Sequence, residues 1–218
     1  MTDQDLREIA PDGIVLLRNE PVQARSTARL TSLLNAAAAV IDEIGYERLT
    51  TAMVAERAGA SIGTVYRYFP DRIVVLQSLS ARSLGGFIEG TRATVLDPDN
   101  TGWWDAVSAC IMGMAVAFRT VPGFRSLRLG DVLDVRPTLS AKSGAAVIAA
   151  AAASALSERF GLPIDELAHR IEVVIVICDS LLSRAFRDDP NGDSRFIDEA
   201  RAIAKAYLTG FYGDPTGV

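Results

Sequence analysis

The sequence predicts an all-α protein in which a small amino-terminal three-helix domain is joined to a larger helical bundle. Three observations lead to this fold class. Apolar residues recur at spacings of three and four over residues 25–44, which is the period of a helix with one buried face. Two short helical segments bracket Gly59, and two long segments with apolar stripes follow residue 164.

Composition limits the class of protein. The 218 residues are 49% hydrophobic, which is enough for two domains. Cys110 and Cys178 lie in apolar helical surroundings and offer neither a disulfide framework nor metal-ligand spacing. The amino terminus carries acids instead of a basic segment and an apolar run, and the most apolar window, residues 144–156, is too short to span a bilayer. We therefore expect a cytoplasmic protein that uses no cofactor, no metal and no membrane.

The helical pattern divides the chain into three parts. Residues 1–24 show no sustained helical period and predict an extension, residues 25–72 a helix-turn-helix domain, and residues 73–218 a larger carboxy-terminal domain. Arg25 and Arg29 lie near the start of the first helix. There they either contact phosphates or are ordinary solvated side chains.

The residues around Gly59 have the composition of a helix-turn-helix. Two helices that cross steeply through a short turn need a small residue at their closest approach, and Ala55 supplies it. Gly59 suits the corner because glycine accepts a positive φ without steric penalty. Val65 is the apolar residue that the second helix directs back at the first.

Start and stop signals bound both helices. Thr51 and Ser61 can cap the first and the second helix, since each offers a side-chain oxygen to backbone donors that lack partners. Pro70 ends the second helix because the residue before a proline is disfavoured in helical angles. Asp71 then caps a third helix.

The second helix has an outer face suited to a major groove. At about 100° per residue, Val65 and Phe69 fall on one side, and the residues elsewhere are small or polar: Gly63, Thr64, Tyr66 and Arg67. Ile62 either half-faces the core or contacts a thymine methyl. Residues 25–75 carry six arginines against five acids in a chain of net charge −5, so the charge is shared in the direction expected for DNA binding.

This motif resembles a known family. The segments Leu-Thr-Thr, Val-Ala-Glu-Arg-Ala-Gly and Gly-Thr-Val-Tyr-Arg-Tyr-Phe, followed by an acid and a base, are similar to the signature of the TetR family of bacterial repressors, over about residues 25–79. The resemblance implies double-stranded operator DNA as a partner. It implies phosphate contacts from Thr51, Tyr66, Tyr68 and Arg72, and contacts at or near the bases from Ser61, Ile62, Gly63 and Arg67, with Thr64 in the same candidate set. Ile62 stands where relatives often have a basic or polar residue, and Arg72 where lysine is more usual.

Further helices are expected over about 71–94, 103–120 and 142–160, with a short one from Phe124. The first is on the order of 35 Å long, enough to connect the two domains. Several apolar and aromatic residues of this region and of the helix over 164–186 are each most simply core, but together they are candidates to line an effector cavity of the kind the resemblance implies: Phe87, Trp104, Met112, Met114, Phe118, Phe124, Ile175 and Cys178. Arg119, Arg128 and Asp179 are polar candidates for the same cavity.

The last two helices, over 164–186 and 194–212, predict an antiparallel hairpin. Residues 173–177 are apolar around the whole circumference, so one face requires burial beyond the subunit core. A second copy of the hairpin would supply it through an isologous four-helix interface, and the resemblance implies the same homodimer. The candidate interface residues are Ile171, Val174, Leu181, Leu182, Ile203, Tyr207 and Phe211.

Together these features favour a homodimeric, ligand-responsive transcription regulator, most simply a repressor that leaves a palindromic operator when a small, mainly apolar effector binds. Its two recognition helices would lie about 34–36 Å apart, or a multiple of this, to enter successive major grooves. One alternative is a ligand-sensing or assembly protein whose helix-turn-helix is only a fold element. The other is a small helical enzyme, but the single histidine, His169, has no partner at ligand spacing, and the sequence has no phosphate-binding glycine loop or nucleophile elbow.

Overall fold

The computed structural model describes residues 24–127 and 143–213. Within these ranges the chain forms nine α-helices, one short 3-10 helix and no strand, which confirms the all-helical fold class. The helices are α1 (Ala24–Ile44), α2 (Thr51–Arg57), α3 (Ile62–Tyr68), α4 (Arg72–Leu96), α5 (Trp103–Thr120), α6 (Phe124–Leu127), α7 (Gly144–Phe160), α8 (Leu167–Ala185) and α9 (Ser194–Tyr212), with the 3-10 helix at Tyr46–Arg48. Residues 1–23 of the expected extension, and the candidate Arg128, lie outside the described residues.

The helices group into two compact units. Of the described residues, the first comprises 24–85 and 122–127, and the second comprises 86–121 and 143–213. The division falls inside α4, between Gly85 and Gly86, further along the chain than the boundary expected at residues 72–73. The middle segment 122–127 also belongs to the first unit.

The first unit is built on the apolar stripe of α1. Leu33, Ala37 and Ile41 follow one another at intervals of four and are completely buried, as the sequence spacing predicts. The core is completed by buried residues from the 3-10 region, α2, α3 and the first half of α4: Leu49, Val54, Val65, Phe69 and Leu76. The helix α3 therefore packs on this core through its inner side only.

The segment before α6 docks on α1 of the first unit. The backbone N–H of Gly123 donates to Asp42 Oδ1 at 3.1 Å. Gly123 has φ 76°, and a Cβ there would lie 3.2 Å from the carbonyl oxygen of Ala38. Only glycine combines this backbone conformation with so close an approach. Phe124 and Leu127 are consequently buried in the first unit.

The second unit is a helical bundle. The hairpin of α8 and α9 forms as expected, α7 packs against α8, and α5 packs against both helices of the hairpin. The inner side of α7 consists largely of alanine, which permits close packing: Ala145, Ala149, Ala152 and Ala153 are all buried. The start of α8 lies at Leu167 and not at Ile164, because Glu166 adopts a left-handed φ of 64° just before it.

Candidate nucleic-acid interface and effector cavity

The turn between α2 and α3 has the predicted geometry. Gly59 adopts φ 57°, and the N–H of Ala60 donates to the carbonyl of Ala55 at 2.9 Å. Ser61 caps α3, since its Oγ accepts from the N–H of Thr64 at 3.1 Å. This cap and turn hold α3 at a defined angle to α2.

The cap of α2 lies one residue earlier than expected. Thr50, and not Thr51, has an extended backbone with φ −128°, and its side chain accepts from the N–H of Met53 at 3.2 Å. Thr51 is already helical, so its hydroxyl is left for other partners. It donates to the hydroxyl of Tyr66 at 3.5 Å.

The outer face of α3 is exposed as the helical projection predicts. Ile62 is 42% exposed and Tyr66 is 45% exposed, whereas Val65 is completely buried. Gly63 and Arg67 are also exposed, and Thr64 is half-buried. The face therefore offers one cation, one phenol, one apolar side chain and a stretch of bare backbone.

The neighbouring candidates on α1 and α2 are placed on the same unit. Arg29 is exposed on α1, while the side chain of Arg25 lies outside the described part of the chain. Arg57 of α2 donates to Glu43 Oε2 at 2.5 Å, and this hydrogen bond holds the pKa of the Glu43 carboxyl below its usual range. The pair is solvent-exposed, so it orients α1 and α2 more than it stabilises them.

Tyr68 and Arg72, both expected to contact phosphates, each have a hydrogen-bond partner within the first unit. Tyr68 is 4% exposed, and its hydroxyl is hydrogen-bonded with Ser26 Oγ at 3.1 Å. Arg72 donates from Nη1 to the carbonyl of Glu47 at 2.7 Å. Both side chains close the first unit around its core, a role that depends on tertiary packing and that the motif alone does not reveal.

An apolar cavity of about 60 Å³ lies within the second unit. Two facing helices each contribute residues at i, i+4 and i+8, namely Phe87, Thr91 and Val95 from α4 and Ile148, Ala152 and Leu156 from α7. The remaining wall comes from α5 and α8. This volume has room for about two water molecules at ~30 Å³ each. It is far smaller than the ~300 Å³ of ordinary small-molecule sites. Any larger ligand must therefore widen the cavity.

The cavity wall carries no charge among the residues the structure describes. Its most polar side chains are Thr91 and two thiols. Burial raises the pKa of Cys110 to about 12, and burial together with the charge of Asp179 raises that of Cys178 to about 12. Both thiols are therefore neutral, and the Sγ of Cys178 faces the carbonyl of Ala200 at 3.7 Å.

Four of the eight apolar and aromatic candidates line this cavity. Phe87, Met114, Ile175 and Cys178 do, whereas Trp104, Met112, Phe118 and Phe124 do not. Met112 is 40% exposed, Phe118 stacks on Phe186 at 5.4 Å, and Phe124 is buried in the first unit. Residues missed by the sequence reasoning include Thr91, Val95, Ala152 and Leu156. The i, i+4, i+8 stripes of α4 and α7 are the signal that could have found them.

Three of the expected dimer residues are buried within the single chain. Ile171, Val174 and Leu182 are 5%, 4% and 0% exposed within the single chain, and the first two line the cavity. Residues 173–177 are apolar on every side, so the sequence could not tell which side of α8 faces inward. Leu181, Ile203 and Tyr207 are half-buried and Phe211 is 50% exposed, so these four remain accessible.

Over residues 24–127 and 143–213, no group of three or more His, Cys, Asp or Glu side chains is arranged to hold a metal. No helix in the described part of the chain is long and apolar enough to cross a membrane. His169 is exposed on α8.

Fold and site together define a class: a helical protein with a helix-turn-helix in one unit and an apolar cavity in the other. Residues 33–77 match the model of the bacterial regulatory proteins of the tetR family, and residues 101–212 match that of the tetracyclin repressor-like carboxy-terminal domain. A TetR-family transcriptional regulator from Streptomyces coelicolor has a solved structure with 31% identity and a TM-score of 0.70, covering 84% of this chain and 98% of that one. The chain belongs to the TetR family, a family of transcriptional regulators and not of enzymes.

Two further proteins are similar to this chain, one in sequence and one in fold. The HTH-type transcriptional repressor KstR of Mycolicibacterium smegmatis is 37% identical over 68 residues, which are 31% of this chain and 33% of that protein. The chain thus matches about a third of the length of this curated relative. The fatty acid degradation regulator FadR of Bacillus halodurans shares the fold, with a TM-score of 0.64 at 18% identity over 84% of this chain and 96% of that one.

Proposed function

We propose that this chain is a repressor that binds a palindromic operator as a homodimer and is released by a small, uncharged, mainly apolar effector. The observation that carries the proposal is the exposed face of α3. There Tyr66, Arg67 and the bare backbone of Gly63 stand outward on a helix that is capped at its start and anchored by Val65.

The chemistry of this face suits a major groove. Arg67 has a planar guanidinium that can donate two parallel hydrogen bonds to O6 and N7 of guanine. Ile62, 42% exposed, offers an apolar contact for a thymine methyl. Tyr66 and Thr51 present hydroxyls at the edge of the same face, where hydrogen bonds to phosphate fix the register of a protein on DNA.

The accessible faces of α8 and α9 support a dimer that uses residues beyond those first expected. Val176 is 51% exposed on α8. On α9, exposed residues recur at intervals of four and have very small side chains: Ala202, Ala206 and Gly210. Small side chains let two helices approach closely, so two copies of this hairpin can pair about a twofold axis. Ile203, Tyr207 and Phe211 flank this stripe.

The effector class follows from the cavity wall. A charged group buried there would find no counter-charge among the described lining residues, and an unpaired buried charge is strongly unfavourable. The neutral thiols of Cys110 and Cys178 and the hydroxyl of Thr91 can accept at most a few polar atoms. The cavity therefore favours an uncharged, mainly hydrocarbon molecule.

The relatives support repression as the direction of control. KstR, which is 37% identical over 68 residues, is named a transcriptional repressor. The FadR likeness concerns the fold alone. The cavity wall therefore supports the effector class, and the likeness to KstR supports repression.

Selection of DNA from a random library by the full-length protein tests the proposal. We expect enrichment of an inverted repeat whose half-site centres lie about 10–10.5 base pairs apart, or a multiple of this, with binding that weakens steeply as salt rises. A thermal-shift screen should then find uncharged lipophilic compounds that stabilise the protein and release this DNA. Failure to enrich any sequence, or enrichment of a single half-site bound by one chain, would contradict the proposal.

A further inference from the structure

Arg159, near the end of α7, binds three backbone carbonyls at the end of α4. Its Nη1 donates to the carbonyl of Val95 at 2.6 Å and to that of Asp97, and its Nη2 donates to the carbonyl of Asn100 at 2.7 Å. All of these residues belong to the second unit. One side chain thus joins the last turn of α4, the loop that follows it, and α7.

The end of α4 has a particular need for such a group. The last carbonyls of a helix lack partners within the helix and form its negative end. Asn100 Nδ2 donates to the carbonyl of Thr94 at 2.7 Å, and Arg159 donates to the carbonyl of Val95. A guanidinium has several N–H donors in a rigid, planar and permanently charged group. It can therefore donate to several carbonyls at once, whereas a lysine ammonium would donate to fewer.

This contact lies at one end of the cavity. Val95 is the last cavity residue of α4, and Leu156 is the last of α7. Arg159 follows Leu156 by three residues, less than one helical turn. The two lining stripes, Phe87–Thr91–Val95 and Ile148–Ala152–Leu156, are therefore tied together where they end.

We propose that Arg159 is a clamp that keeps the Val95 end of α4 fixed to α7, so that an effector widens the cavity from the Phe87 end. The inference rests on the proposed function, because it needs an effector that enlarges a cavity of about 60 Å³. The displacement of α4 is then greatest at the Phe87 end of its lining stripe, next to Gly86. On the amino-terminal side of Gly86, the residues of α4 belong to the first unit. Arg159 acts as a positioning residue and does not itself contact the ligand.

A neighbouring ion pair supplies a matched control. Arg92 of α4 lies 3.7 Å from Glu158 of α7, and both side chains are more than half exposed. It links the same two helices with an arginine of the same charge. Because exposed pairs contribute little, Arg92→Ala should leave the end of α4 in place.

The test measures amide hydrogen exchange in the full-length protein and in the variants Arg159→Ala, Arg159→Lys and Arg92→Ala. The probe is N-phenyl-1-naphthylamine, an uncharged apolar fluorophore. Without probe, Arg159→Ala should exchange about tenfold faster over residues 92–97, because hydrogen bonds to a charged donor are lost. Arg92→Ala should behave like the unaltered chain.

Probe binding separates a clamp from a merely structural arginine. In the unaltered chain, the probe should change exchange over residues 86–91 and leave 92–97 unchanged, whereas in Arg159→Ala the change should extend to 92–97. The affinity for the probe should rise about threefold in Arg159→Ala, because less of the binding free energy is spent on opening the cavity, and Arg159→Lys should lie between. A structural role alone would lower thermal stability and probe affinity together.

Unchanged exchange over 92–97 in Arg159→Ala, or probe-induced changes over 92–97 in the unaltered chain, would overturn the clamp. If Arg159→Ala does not fold, Arg159→Lys decides by the same two measurements. If the unaltered chain does not bind the probe, the proposed effector cavity fails. In that case faster exchange over 92–97 still supports a clamp on α4, and unchanged exchange overturns it.

Discussion

The hydroxyl of Thr51 donates to the hydroxyl of Tyr66 across 3.5 Å, which links the first turn of α2 to the exposed face of α3. The bond is long and solvent-exposed, so it adds little to the stability of the fold. It does fix where the Tyr66 hydroxyl lies, although the ring itself is 45% exposed. Both hydroxyls are therefore held at the edge of the surface proposed to bind DNA.

Replacing Tyr66→Phe should separate binding from folding. The free energy of unfolding should change by less than about 0.5 kcal/mol, as for other surface substitutions. Operator affinity should fall about tenfold, since one hydrogen bond to a charged phosphate contributes roughly 1.5 kcal/mol. Fluorescence anisotropy with the selected operator and urea denaturation measure the two quantities. Thr120→Val, which removes an exposed hydroxyl from α5 of the second unit, is the control and should alter neither; unchanged operator affinity in Tyr66→Phe would contradict the assignment.

The helix-turn-helix could be predicted because its signals are local. Gly59 at the corner, Ser61 as a cap and Pro70 as a stop each act on neighbouring backbone, and the structure has all three in these roles. The cap of α2 was misassigned by one residue because Thr50 and Thr51 both offer a hydroxyl. The choice depends on which residue is extended, and that is fixed by the preceding chain.

The cavity could not be predicted to the same degree. Rotation of α8 about its axis is set by packing, and residues 173–177 give no polar side to orient it. Ile171 and Val174 consequently face inward where an interface was expected. The contacts of Arg159 could not be predicted, because its partners are backbone carbonyls about sixty residues away. Every residue has a backbone carbonyl, so such a partner leaves no signal in the sequence.

Filling the cavity should abolish effector binding. In Ala152→Leu the larger side chain enters a space of about 60 Å³, so binding of N-phenyl-1-naphthylamine should weaken at least about tenfold, with a cost in stability of about 1–3 kcal/mol if the core is overpacked. Ala150→Leu is a matched control, because Ala150 is exposed on the same helix. A fluorescence titration reports both variants, and equal weakening by the two would argue against this cavity.

The two thiols of the cavity wall should make stability fall at alkaline pH. Burial raises the pKa of Cys110 and Cys178 from 9.0 to about 12. Above pH 9 the unfolded chain therefore releases protons that the folded chain retains. The free energy of unfolding should fall between about pH 9 and 12 by up to about 1.4 kcal/mol per pH unit for each thiol. Urea denaturation in reducing buffer at pH 9.5 and 10.5 should give a shallower decline for the double variant Cys110→Ala/Cys178→Ala, and identical declines would refute the assignment.

A charge on the small-residue stripe of α9 should separate the dimer. Ala206 is exposed between Ala202 and Gly210, and Ala206→Glu would bury two carboxylates near the twofold axis, which is unfavourable by several kcal/mol. Light scattering should then report a monomer, and operator affinity should drop because only one half-site is held. Ala150→Glu on α7 should remain dimeric. A dimeric Ala206→Glu would place the interface elsewhere.

The central claim is that the exposed face of α3 reads DNA, and the double variant Tyr66→Ala/Arg67→Ala tests it most directly. Both side chains lie outside the core, so the variant should fold and keep the oligomeric state of the unaltered protein. Its affinity for the selected operator, measured by anisotropy across a salt series, should fall to that for unrelated DNA, because base contacts are lost while other phosphate contacts persist. Full operator affinity and selectivity in a folded double variant would contradict the account.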